Sequence, residues 1–186
     1  MARPPETAYH LLKEHLNQDT DPRFNLATFV STYMEPEAES IIIANLPKNF
    51  VDPRAYPRTA DIERRCLNIL ADLYHLQSND GEGVFGTSTL GSSEAIMLAM
   101  LAMKTKWIEQ RQVAGKDDRA KPNIILSSVV QVCWEKAARY FDVDIQYVRC
   151  SEDRFVLDPS VSVDLVNDRT IGICCILSVA KKSNMY

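Results

Sequence analysis

Apolar residues recur at spacings of three and four through much of the first half of the chain, and in shorter uninterrupted runs through the second half. Tyr9, Leu12 and Leu16 make one short helical stripe, and Leu26, Phe29, Val30, Tyr33 and Met34 make another that stops before Glu35 and Pro36. The sequence onward to Ile43 resumes a helix. Pro47, Pro53 and Pro57 break any regular element between Asn45 and Arg58, which reads as loop. With Thr59 as N-cap, the positions Ile62, Cys66, Ile69, Leu70, Leu73 and Leu76 predict an amphipathic helix ending near Gln77. A polar loop over Ser78 to Gly81 follows. Beyond the turn Gly86 to Gly91, a long helix is predicted from Ala95 towards Gln112, and Gly115 to Pro122 is loop. The remainder alternates: strand Ile124 to Leu126, helix Gln131 to Tyr140, strand Val143 to Val148, helix Ser160 to Val166, and an apolar run Ile171 to Leu177 expected to be a buried strand. This alternation predicts an α/β unit with a mostly parallel sheet behind a helical N-terminal segment.

Composition narrows the class. A chain of 186 residues with 46% apolar content is about one domain's worth and can bury a core. Twenty-one basic and 25 acidic residues are interspersed, for a net charge of −4, which gives no footprint for nucleic acid or for an anionic membrane. The N-terminus has no apolar core of a signal peptide, and no window approaches the roughly 18 apolar residues of a membrane span. Five cysteines show no C-x-x-C spacing and no metal-ligand pattern; Cys66 and Cys133 sit in apolar helical patterns and are expected to be buried, reduced thiols. A cytoplasmic location is the expectation.

One motif carries chemistry. Gly86-Thr87-Ser88-Thr89-Leu90-Gly91-Ser92-Ser93-Glu94-Ala95 feeds a glycine-serine turn into the long helix, where unpaired N–H groups, the positive end of the helix dipole and two hydroxyls converge as an anion site requires. Ser93 is expected to cap the helix while Ser92 and the first N–H groups face a phosphate; a plain capped helix without ligand is the competing interpretation. Gly81-Glu82-Gly83-Val84-Phe85-Gly86 also matches G-x-G-x-x-G. It follows a helix rather than a strand, so a nucleotide-binding domain is the weaker alternative.

Several segments in order resemble glutamate decarboxylase, a pyridoxal-phosphate enzyme of the group II decarboxylases. They are Asn25-Leu26-Ala27-Thr28-Phe29, Lys48-Asn49-Phe50-Val51-Asp52 with Tyr56-Pro57, Ala71-Asp72-Leu73-Tyr74-His75, the Gly86 to Ala95 turn, Lys121-Pro122-Asn123, Gln131-Val132-Cys133-Trp134 and Ala138-Arg139-Tyr140. The resemblance implies a partial aminotransferase-like (fold type I) pyridoxal-phosphate domain. It also implies that Ser92 and Ser93 hold the cofactor phosphate and Gln131 lies against the pyridine ring. Thr28, Phe29 and Asp52 would surround the distal carboxylate of L-glutamate, with Asp52 arriving from a second subunit of a dimer or larger homo-oligomer. An aspartate beside a carboxylate needs one of the pair protonated, which suits acid-favoured activity. Without the resemblance, Thr28 would be a core residue, Asp52 a turn residue, Gln131 a surface residue at a helix start, and His75 a structural residue at a helix end.

The reaction so implied converts L-glutamate to 4-aminobutyrate and carbon dioxide through a Schiff base on a lysine-bound cofactor. In the family that lysine, after a serine-x-histidine pattern, and the acidic ring-nitrogen partner lie downstream of the matched region. The expectation is therefore a truncated chain with an N-terminal helical segment (1–57), the first part of the cofactor domain (58–177) and a divergent tail (178–186) bearing Lys181 and Lys182. Such a chain would be inactive alone, and a non-catalytic fragment that dimerises with a full-length subunit is the alternative.

Overall fold

A computed structural model of the chain describes residues 4–21, 24, 34–49, 51–76, 85–116, 120–151, 154 and 156–176. They fall into two compact units, Met1–Leu70 and Ala71–Tyr186.

The first unit is helical. α1 (Pro5–Leu16) and α2 (Pro36–Asn45) each open on a proline, whose missing N–H and fixed φ suit a helix start, and each carries acidic residues in its first turn, beside the positive end of the dipole. Neither contains a buried residue. The helical stripe from Leu26 to Tyr33 lies outside the described residues. α3 (Pro57–Leu73) begins three residues earlier than the threonine cap predicts: Tyr56 O accepts the N–H groups of Thr59 and Ala60, which places Thr59 inside the first turn. It ends at Leu73 rather than near Gln77. His75, at φ 54°, adopts the left-handed turn that closes the helix, and Leu76 N–H donates to Ala71 O at 2.9 Å. The structural role expected of His75 is therefore backbone termination. Cys66 is exposed, against the expectation of burial, because the outer side of the stripe it shares is uncovered, with Ile62, Ile69 and Leu73 also exposed.

The second unit is a parallel three-stranded sheet in the order β2-β1-β3, formed by β1 (Asn123–Ser127), β2 (Asp144–Val148) and β3 (Thr170–Ile173). α4 (Ser92–Val113), α5 (Val132–Tyr140) and α6 (Pro159–Asp164) complete it. The central strand is buried at every position: Ile124 to Leu126 are apolar, and the polar ends Asn123 and Ser127 are hydrogen-bonded. Met100 of α4 packs with Ile124, Leu126, Val130, Ala137, Ala138, Val143 and Cys174 in one core. The apolar run from Ile171 to Leu177 departs from expectation: β3 is four residues long, Ile173 and Cys175 are exposed, and Leu177 lies outside the described residues. A register shift between Asn123 and Ile124 brings Gly172 opposite Ile124. There the missing side chain admits Met103, whose Sδ would sit 2.7 Å from a Cβ.

Polar tethers fix the lower edge of the sheet, where the strands start. Lys104 Nζ donates to Phe141 O at 2.5 Å, and Trp107 Nε1 donates to Asp168 O at 3.0 Å. The Arg111 guanidinium stacks over the Trp107 ring and reaches Asp168 Oδ2 at 3.4 Å. Lys121 Nζ bridges Asp142 and Asp144, each at 2.8 Å, and so ties the entry of β1 to the entry of β2. That pairing holds the Asp142 carboxyl below its ordinary range.

Candidate functional site

The same tethers orient the helices. The second half of α4 touches Phe141 and Asp168, three and two residues before β2 and β3 begin, so that half lies at the start of the strands. From Lys104 back to Ser92 the helix rises roughly 18 Å, about the length of a five-residue strand. The first turn of α4 therefore reaches the carboxyl edge of the sheet. α5 starts five residues after β1 ends and finishes four before β2 begins, so its first turn lies at that edge too. Open parallel sheets bind ligands outside the carboxyl ends of their strands. Chain topology thus brings Ser92, Ser93 and Gln131 to one edge.

At the start of α4 the N-cap is Gly91, not Ser93. Ser92 and Ser93 are the first two helical residues, both exposed. Gly91 sits at φ 155°, ψ 178°, a region essentially reserved to glycine. A Cβ there would meet nothing within 4 Å, so backbone direction, not crowding, calls for the glycine. A glycine cap has no side chain to occupy the N–H groups of the first turn. The first intrahelical bond runs from Ala95 N–H to Gly91 O at 3.1 Å. Two further bonds shape the turn: Thr89 Oγ1 donates to Gly91 O at 3.2 Å, and Leu90 N–H donates to Glu94 Oε2 at 2.6 Å. Sequence reasoning passed over Glu94, although a Glu three residues after the cap is the signal of a carboxylate that reaches back.

Gln131 is the exposed N-cap of α5, with extended backbone and a side chain that does not cap. The Cys133 thiol donates to Gln131 Oε1 at 3.8 Å. This engages the amide oxygen and leaves the amide N–H groups outside that contact. Near the same edge, Ser127 Oγ lies 3.3 Å from Cys150 Sγ, and Cys150 N–H donates to Ser128 Oγ at 3.0 Å. Burial pushes the Cys174 thiol, one residue beyond β3, up to about 11. It is therefore a packing group rather than a nucleophile.

Asp52, in the first unit, caps its own turn: Oδ1 accepts the N–H groups of Arg54 and Ala55, each at 3.1 Å. Thr28 and Phe29 lie outside the described residues, as do Gly81 to Val84 of the competing glycine pattern. Among the described residues no group of three or more His, Cys, Asp or Glu side chains could hold a metal, and no helix is long and apolar enough to cross a membrane. An apolar hollow lined by Val156, Leu157, Pro159, Ser162, Ile173 and Ile176 includes none of the candidate residues.

The donor set at the α4 start suits a phosphate group: two hydroxyls, a first turn open to solvent and a dipole end of matching sign. Known proteins resemble the chain over most of its length. Residues 5–181 match the pyridoxal-dependent decarboxylase conserved domain. Over 174 residues the chain is 47% identical to a glutamate decarboxylase of Solanum lycopersicum, covering 94% of this chain and 34% of that protein. The fold superposes on a glutamate decarboxylase of Lactobacillus brevis with a TM-score of 0.84 at 45% identity, covering 93% of this chain and 39% of that one. A sphingosine-1-phosphate lyase of Burkholderia pseudomallei shares the fold at 20% identity, with a TM-score of 0.71. The chain spans about a third of the length of the curated relatives it matches.

Proposed function

Because the chain belongs to the pyridoxal-dependent decarboxylase family, we propose that it forms the phosphate-holding part of an enzyme that converts L-glutamate to 4-aminobutyrate and carbon dioxide. The observation that carries this reading is the glycine-capped start of α4, open at Ser92 and Ser93, on the sheet edge that also receives Gln131. Pyridoxal 5'-phosphate, when bound, supplies an aldehyde for the substrate amine and a ring that accepts the electron pair released with carbon dioxide. The Ser92 and Ser93 hydroxyls and the first-turn N–H groups would hold the phosphate by donating to it. Gln131, a neutral amide, would offer the ring a polar contact without a second charge. Thr28, Phe29 and Asp52 bind the distal carboxylate of glutamate, Asp52 serving the site of a second subunit in a homo-oligomer. The five free cysteines, with no disulfide among the described residues, suit a reducing cytoplasmic compartment.

Equilibrium dialysis tests the reading. The chain should hold pyridoxal 5'-phosphate at least about tenfold more tightly than pyridoxal, since only the former engages the helix start. Ser92→Ala with Ser93→Ala should abolish that preference. Equal affinity for the two ligands in the unsubstituted chain would refute it.

A further inference from the structure

We propose that Glu94 is a positioning residue for the phosphate site, acting through Leu90, and this rests on the reading just given. Apolar burial does little to fix the turn before α4. Leu90 is fully exposed, Phe85 nearly so, and Gly91 is the residue type with the widest choice of backbone conformations. Packing therefore does not select the one conformation in which the helix begins at Ser92. The bond from Leu90 N–H to Glu94 Oε2 does, because it closes a five-residue ring around Gly91. The Thr89 hydroxyl supports it from the other side by donating to Gly91 O. In an ordinary capping box the reaching carboxylate takes the N–H of the cap residue. Here it takes the N–H one residue earlier, and with a glycine as the cap no cap side chain takes a first-turn N–H group, so those of Ser92 and Ser93 face outward.

Charge opposes this role. A carboxylate in the first turn favours the helix dipole, yet it repels a phosphate bound at the same end. Reach and charge therefore make opposite contributions to binding, and two conservative variants separate them. Glu94→Gln keeps an oxygen acceptor at the same reach and removes the charge. Glu94→Asp keeps the charge on a side chain one methylene shorter.

Equilibrium dialysis with pyridoxal 5'-phosphate and with pyridoxal, combined with amide hydrogen exchange at Leu90, reads the outcome. Glu94→Asp should lose roughly tenfold in affinity for pyridoxal 5'-phosphate with pyridoxal affinity unchanged, and should expose the Leu90 amide to exchange. Glu94→Gln should keep the amide protected and bind the phosphate ligand as well as the unsubstituted chain, or more tightly at low salt. The inference falls if Glu94→Asp binds normally, or if both variants lose affinity equally. It also falls if affinity for the two ligands drops in parallel, the mark of a helix merely destabilised. A chain that shows no preference for the phosphate ligand before substitution refutes the underlying reading instead.

Discussion

Replacing Gly91 by alanine puts a side chain where the structure has room for it but the backbone does not tolerate it. No atom lies within 4 Å of the added Cβ, so none of the cost is steric contact with neighbours. The cost is conformational: φ 155° with ψ 178° is a region that residues other than glycine occupy only at about 1–3 kcal/mol. Such strain persists where surrounding packing forces it, and this turn is exposed, its residue Leu90 fully so. The alanine chain should therefore relax by reshaping the turn. Relaxation gives up the preorganised start of α4, so the loss appears in phosphate binding rather than in the core. At about 1.4 kcal/mol per tenfold, affinity for pyridoxal 5'-phosphate should fall roughly ten- to one-hundredfold, while the free energy of urea unfolding changes by less than about 1 kcal/mol. Gly115→Ala is the matched control at the other end of the helix. Gly115 has φ 64° with equally open space, and it precedes the closing bond from Lys116 N–H to Arg111 O. That variant should lose about 1–2 kcal/mol of stability and keep its cofactor affinity. Equal effects of the two substitutions on binding, or an undiminished affinity in Gly91→Ala, would refute the reasoning.

Three further outcomes follow from local chemistry. Ser93→Ala should leave the urea midpoint within experimental error, because the cap is Gly91 and no side-chain cap is lost; a drop of the ~1 kcal/mol typical of a lost N-cap would contradict that assignment. Alkylation followed by mass mapping should modify the exposed Cys66 and Cys175 well before the buried Cys133 and Cys174, the last also disfavoured by a thiol pushed up to about 11; early labelling of Cys174 would refute its burial. Burial, and then the hydrogen bond to Glu135, pushes the Tyr147 phenol from an ordinary 10.0 up to about 12, so its contribution to stability is complete below pH 10 and is lost as pH rises towards 12. Tyr147→Phe should flatten that alkaline decline in urea unfolding, and an unchanged slope would refute it.

The α/β alternation was legible because short apolar stretches, such as Ile124 to Leu126, alternate with segments whose apolar residues repeat at helical spacing. Asn123–Ser127 and Val132–Tyr140 followed within a residue or two. Burial was less legible. Cys66 shares a clear amphipathic stripe with Ile62 and Ile69, yet all three are exposed, because a stripe states that a helix has an apolar face and says nothing of what covers it. The run Ile171 to Leu177 carries the same ambiguity. Its composition suits a buried strand, but among the described residues β3 pairs with β1 alone, and the strand stops at Ile173, with Cys174 N–H making one more bond to Ile125 O.

Helix starts failed for a more specific reason, and the failure bears on the site. Serine and threonine rank above glycine as caps, so a reading by propensity moves the start of α4 to Ser93 and that of α3 to Thr59. In both helices the true start is set by backbone geometry upstream. Pro57 fixes φ in the first turn of α3, and Gly91 alone can take the extended, positive-φ approach to α4. An error of two or three residues would be harmless in a helix that only packs. At a binding site it reassigns every role: with the cap at Gly91, Ser92 and Ser93 cease to be the groups that satisfy the helix and become groups the helix presents. The same shift turns Glu94 from the first helical residue into the third, the position from which a carboxylate can reach back around the glycine. On the proposed reading, the phosphate site would depend on a residue whose chemistry is opposite in sign to what it would attract. Only the position of Gly91 makes that arrangement intelligible.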